Sequence, residues 1–158
     1  MQDIIYRKPG KDEINLIIDI RLAFLHELQG KQPLKNESEL RISLIDYFQN
    51  AFHDNSFICW IAEVNSIPVG FGGMVIQHIP GHYGLINGRA GYILNMYTIT
   101  GYRKKGICTG IMDRLIDDGR KLGLNKIYLH ASKDGIELYR KKGFCDPDLP
   151  ELELLLNP

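Results

Sequence analysis

Tyr92-Ile-Leu-Asn-Met-Tyr-Thr-Ile99 runs into Thr100-Gly-Tyr-Arg-Lys-Lys-Gly-Ile-Cys-Thr-Gly-Ile111 and then into Met112-Asp-Arg-Leu-Ile-Asp-Asp-Gly-Arg-Lys-Leu122. The first segment is rich in β-branched and aromatic residues and poor in charge, which predicts a strand from Tyr92 to Ile99. The last places Ile107, Ile111, Leu115 and Leu122 at helical spacing. Arg103, Lys104 and Lys105 lie at the join, where a helix should begin. Cations there oppose the positive end of the helix dipole by roughly 0.3–1 kcal/mol each. Gly106 lets the backbone approach a ligand, and the first amides of a helix lack intrahelical partners. Free N–H groups, three cations and a dipole on one spot make a site for a multiply charged anion such as a pyrophosphate.

Gly101-x-x-x-x-Gly106 has the opening spacing of a P-loop, but Ile107-Cys108 follow where Lys and Ser/Thr are required. Arg103-Lys104-Lys105-Gly106-Ile107-Cys108 instead resembles motif A of the GCN5-related N-acetyltransferases, the GNAT superfamily, whose pattern is Arg/Gln-x-x-Gly-x-Gly/Ala. Cys108 departs from the small last residue. Leu138-Tyr139-Arg140-Lys141-Lys142-Gly143-Phe144 resembles the end of motif B, and the likeness spans Ala90 to Phe144. Ser132 stands where many members carry Asn.

The resemblance implies an α/β fold: a twisted, mostly antiparallel mixed sheet of about seven strands with helices on both faces, its central strand pair splayed apart. It implies acetyl-CoA as acyl donor. Backbone groups of Met96, Tyr97, Thr98 and Ile99 would hold the pantetheine arm. Arg103 and the segment Lys104, Lys105, Gly106, Ile107, Cys108, Thr109 and Gly110 would hold the diphosphate, with Ser132 as a further contact. Tyr139 falls at the general-acid position beside the thioester sulfur, and an amide of Thr98 or Ile99 would stabilise the developing oxyanion. The acceptor would be an amine of a small molecule or a protein, attacking the thioester directly. No carboxylate on the central strand offers itself as base. Glu27 could face the acceptor pocket or be a solvated helix residue; His130 is a candidate base but is expected rather as a buried, hydrogen-bonded histidine; Asn95 and Tyr97 would line the site.

Working outward, Ile4 to Lys8 reads as a first strand stopped by Pro9-Gly10. A helix follows from Asp12 to Leu28, and a second is opened by the capping-box spacing Asn36-Glu37-Ser38-Glu39. Phe57 to Val64 and Ile67 to Gln77 form a hairpin about Asn65-Ser66. Gly70, Gly72 and Gly73 in its return strand require close approach of a backbone or ligand. A long loop joins Gln77 to Arg89. His78 and His82 within it share no helical face and have no third ligand, so no metal is expected. Lys126 to Ala131 is a strand, Ser132 a cap, Gly135 to Lys142 a short helix, and Leu152 to Leu156 a last strand.

The 158 residues fit one domain, and 19 basic residues balance 19 acidic ones, so bulk charge favours neither nucleic acid nor an anionic membrane. Cys59, Cys108 and Cys145 cannot all pair within one chain and show no zinc spacing, which favours a reducing compartment. With no apolar run fit for a leader or a membrane span, a cytoplasmic location is expected. A homodimer through the last strand or the long loop is compatible with the composition. The competing class is a non-catalytic acyl-CoA-binding sensor with the same cleft.

Overall fold

The computed structural model describes residues 3–156. Strand β1 (Ile5–Arg7) leads through a single 3-10 turn into helix α1 (Ile14–Gln29), followed by helix α2 (Leu34–Asp54). Strands β2 (Phe57–Val64), β3 (Ile67–His78) and β4 (Arg89–Thr98) precede helix α3 (Ile107–Lys121), strand β5 (Lys126–Leu129) and helix α4 (Ile136–Lys141). The strands form one five-stranded sheet in sequence order. All neighbours are antiparallel except β4 and β5, which are parallel with α3 as their crossover.

Local chemistry explains the joins. Asn65 and Ser66 both take left-handed φ values, 52° and 63°, as a two-residue hairpin turn demands, and this sets Val64 opposite Ile67. Gly123, at φ 67°, closes α3.

Alternation along the strands divides the core in two. Phe57, Cys59, Ile61 and Phe71 face α1 and α2, meeting Ile17, Ile18, Leu22 and Phe48. Ala62, Val64, Val69, Met74 and Ile93 face α3, meeting Ile107, Ile111, Met112 and Leu115. The glycines of β3 serve this second layer. A Cβ on Gly70 would lie 2.4 Å from Ile107 Cγ2, and one on Gly72 would lie 2.6 Å from Ile111 Cγ2. Bare backbone there seats α3 directly on the sheet. Close approach, expected from the glycines, is made by helix side chains and, at Gly73, by the Phe57 ring.

Three expectations are corrected. Five strands are present among the described residues, where about seven were expected; one of those missing is the expected last strand, since Leu152 to Leu156 do not pair with the sheet and their leucines stand exposed. Their alternation suits a strand, but a strand forms only where an edge receives it. Helix α2 opens at Leu34 behind Pro33, earlier than the capping-box spacing indicates. Asn36 thus lies within the first turn and Glu39 lies 3.9 Å from Lys35 Nζ, so the pair does not cap the helix. Strand β5 stops at Leu129, leaving His130 and Ala131 outside the sheet.

Candidate functional site

Strand β4 pairs with β5 only from Ala90 to Ile93, yet continues to Thr98. Its last residues, Leu94 to Thr98, therefore have one open edge. The cause lies within the strand. Gly73 faces Leu94 but Phe71 faces Tyr97, so β4 carries one extra residue, and Asn95 takes it up at φ 58°. Such a bulge bends a strand and re-aims its side chains. Leu94 packs with the α1/α2 layer and Asn95 bonds Arg21 of α1, whereas Met96 joins the α3 layer. The open edge thus forms a gap through the sheet between its two helical layers.

Beyond the gap, the Ile99 amide donates to the Val69 carbonyl at 3.0 Å, so it is engaged with β3 and is not the free oxyanion donor expected of it. Strand alternation then turns the Thr98 amide toward the open edge. Thr98 Oγ1 is buried without a partner, an orphan beside the gap.

The basic turn follows. Lys104 and Gly106 hold left-handed φ values of 61° and 80°, and a lysine in that region costs roughly 1–2 kcal/mol. No atom lies within 4 Å of where a Gly106 Cβ would sit. The Gly110 amide donates to the Gly106 carbonyl at 2.9 Å, which leaves the amides of Ile107, Cys108 and Thr109 as the uncommitted donors of α3. The helix dipole lies behind them. The buried Ile107 side chain anchors them to the sheet. Lys105 Nζ sits 4.9 Å from the centre of the Tyr102 ring. Arg103 is latched: Nε donates to the Thr98 carbonyl at 2.9 Å, and Nη2 pairs with Glu27 at the end of α1. The Arg103 guanidinium holds the Glu27 carboxyl below its ordinary value.

Tyr139 is the buried residue of α4, 8% exposed, with its ring 6.1 Å from that of Phe144. Burial pushes its phenol up to about 12, and the neighbouring Cys108 thiol adds to the effect. Burial also pushes Cys108 up to about 11. Ser132 is occupied elsewhere, its hydroxyl accepting the Gly135 amide at 3.3 Å.

On the α1 side of the gap lies a cavity of about 230 Å³, lined by Arg21, Phe24, Tyr92, Asn95 and His130 among others. His130 is exposed, not buried as expected, because β5 has ended before it. Its Nδ1 lies 2.9 Å from the Tyr92 hydroxyl and its Nε2 3.2 Å from Glu151. Arg21 and Tyr92 are absent from the residues picked out by sequence. A signal for Arg21 exists, since it falls on the same helical stripe as Ile17, Ile18 and Leu25.

The family model for the acetyltransferase (GNAT) family matches residues 22–144. A predicted acetyltransferase from Clostridium acetobutylicum, solved with acetyl-CoA, is 36% identical over 98% of this chain and 97% of that one, with a TM-score of 0.87. A GCN5-related N-acetyltransferase from Ralstonia eutropha JMP134 is 22% identical over 96% of this chain and 99% of that one, with a TM-score of 0.81. Glucosamine-6-phosphate N-acetyltransferase from Arabidopsis thaliana shares the fold at 16% identity, covering 99% of this chain and 100% of that one, with a TM-score of 0.73. No curated protein matches significantly. No helix among the described residues is long and apolar enough to cross a membrane.

Proposed function

The chain belongs to the acetyltransferase (GNAT) family, and from that membership we propose that it transfers the acetyl group of acetyl-CoA to an amine nitrogen. The observation that carries this reading is the open edge of β4 leading directly to the uncommitted amides of Ile107, Cys108 and Thr109. A gap lined by backbone suits an extended arm, and free amides at a helix start suit a diphosphate.

Each part of the site has a task. The α3 amides, Lys104, Lys105 and the outer face of Arg103 hold the diphosphate, and Gly106 leaves room for it. Met96 and Thr98 offer backbone groups to the arm, with the Thr98 amide facing the open edge, while Tyr97 is paired with Phe71 of β3. In the transfer, the amine nitrogen bonds to the acetyl carbon, the carbon–sulfur bond breaks, and the sulfur takes its proton from Tyr139 Oη. The buried phenol keeps its proton at neutral pH, so a proton is present for the sulfur as the carbon–sulfur bond breaks. His130, exposed in the cleft on the acceptor side, takes the proton that the ammonium loses before attack, and the second proton, shed by the nitrogen as the amide forms, passes through solvent to restore the phenol. Glu27 is poorly suited as that base, since its pairing with Arg103 lowers its basicity.

The test is calorimetry with coenzyme A together with thiol release from acetyl-CoA across a panel of amines. Heat on binding and amine-dependent thiol release are expected. Binding with no turnover for any amine is the behaviour of a sensor module and would displace this reading, as would no binding.

A further inference from the structure

Arg21 stands halfway along α1 and enters the acceptor cleft with no carboxylate to balance it. Its Nη1 donates to Asn95 Oδ1, and its Nε is buried with no partner. The groups that act on its charge are the phenols of Tyr47 and Tyr92, and no Asp or Glu among the described residues pairs with it. Of the other arginines, Arg7, Arg41, Arg103, Arg120 and Arg140 meet carboxylates, while Arg89 donates to the Leu122 carbonyl and Arg114 to the Gly110 carbonyl, away from this cleft. Asn95 completes the feature. It is 94% buried by its 6% exposure, it holds a left-handed backbone, and its Nδ2 has no partner. The two polar side chains are joined by one hydrogen bond, each carries a buried donor without a partner, and both residues line one cavity. All of those donors are N–H groups, and one group is cationic. Buried donors of this kind are costly unless an acceptor meets them, and the acceptor that also offsets a guanidinium is an anion.

We propose that the Arg21–Asn95 pair is the subsite for the carboxylate of a free amino acid, or a closely similar aminocarboxylate, and that this is the acceptor class of the enzyme. The planar fork of a guanidinium matches a planar carboxylate. A cavity of about 230 Å³ holds a molecule of that size. Asn95 also belongs to the bulge that opens β4, so a carboxylate bound there sets the amine of the same small molecule beside the open edge. This assignment rests on the acetyl-transfer reading above and narrows it.

The experiment uses matched acceptors: the proteinogenic L-amino acids, each against its carboxamide and its decarboxylated amine, assayed by thiol release from acetyl-CoA. The wild-type chain, Arg21→Gln and Arg21→Lys are compared, with acetyl-CoA binding followed by calorimetry in each. At least one amino acid is expected to exceed its carboxamide in kcat/KM by on the order of 10- to 100-fold, the scale of one charge-assisted interaction. Arg21→Gln is expected to erase that preference through the KM of the amino acid, and Arg21→Lys to restore part of it. Equal use of acids, amides and decarboxylated amines overturns the subsite. So does a preference that survives Arg21→Gln, or silence with every amino acid. If Arg21→Gln does not fold, the matched pairs on the wild-type chain still decide. Failure to bind acetyl-CoA is a different result, and it overturns the acetyl-transfer reading itself.

Discussion

Arg103 ties the basic turn to a helix 76 residues away, pairing with Glu27 through Nη2 while its Nε holds the Thr98 carbonyl. The pair is roughly 40% exposed on both sides, at 42% and 43%, so it positions Arg103 only weakly. Its carboxylate, however, competes directly with any diphosphate. Glu27→Gln is therefore expected to tighten coenzyme A binding by about two- to five-fold, the scale of one exposed pair. Calorimetry measures it. Weaker binding would make Glu27 a positioning residue for the turn.

Tyr139→Phe removes the proposed proton donor and little volume. A drop in kcat of on the order of 10²- to 10⁴-fold is expected, with coenzyme A affinity retained. The raised phenol also links to stability. It keeps its proton in the folded chain to about pH 12 but only to about 10 when unfolded. Its contribution is complete below pH 10 and is lost as pH rises from 10 to 12. The thermal midpoint of Tyr139→Phe should fall less steeply across that window than that of the wild type.

His130→Gln keeps a hydrogen-bonding side chain beside Tyr92 but cannot accept the ammonium proton. A fall in kcat of on the order of 10²-fold or more is expected. Steady-state thiol release by both proteins measures it, and an unchanged kcat would remove His130 from the chemistry.

Gly70→Ala sets a methyl group 2.4 Å from Ile107 Cγ2 beneath the start of α3. Overpacking of this kind costs about 1–3 kcal/mol. Because Ile107 anchors the free amides, the KM for acetyl-CoA should rise together with the loss in denaturation midpoint. Loss of stability with an unmoved KM would separate the glycine from the site.

Arg7 binds Glu13 at 2.7 Å and Glu63 at 2.7 Å, and this pairing, aided by the Gly10 amide, holds the Glu13 carboxyl down to about 2. A lowered carboxyl stabilises the fold above its unfolded value of about 4.5, and that gain is lost as pH falls from about 4.5 to 2. Glu13→Gln should cost about 1 kcal/mol at neutral pH, discounted for partial exposure, and nothing at pH 2. Urea titrations at both pH values measure the difference.

The helices and strands that carry the site were legible wherever their causes were local. The hairpin about Asn65-Ser66, the basic turn ending in Gly106 and the cap at Gly123 depend on the backbone freedom of a few adjacent residues. The unpaired edge of β4 followed from the resemblance, although its physical origin, the extra residue at Asn95, did not. Asn tolerates a left-handed backbone, which is a weak signal within a strand. The tail misled because alternation records what a segment could pair with, and the partner edge is missing among the described residues.

Composition, apolar periodicity and turn residues alone determined a mixed α/β chain with a basic, glycine-ended turn where strand meets helix. Those signals depend on neighbours along the backbone, so they can be read without coordinates. Tertiary structure alone decided that Arg103 faces Glu27, that Ile107 rests on Gly70, that His130 lies open to the cleft, and that Arg21 meets Asn95 with donors to spare. Each of these is a contact between distant segments. Whether a buried charge is paired or left waiting depends on what the folded chain brings beside it.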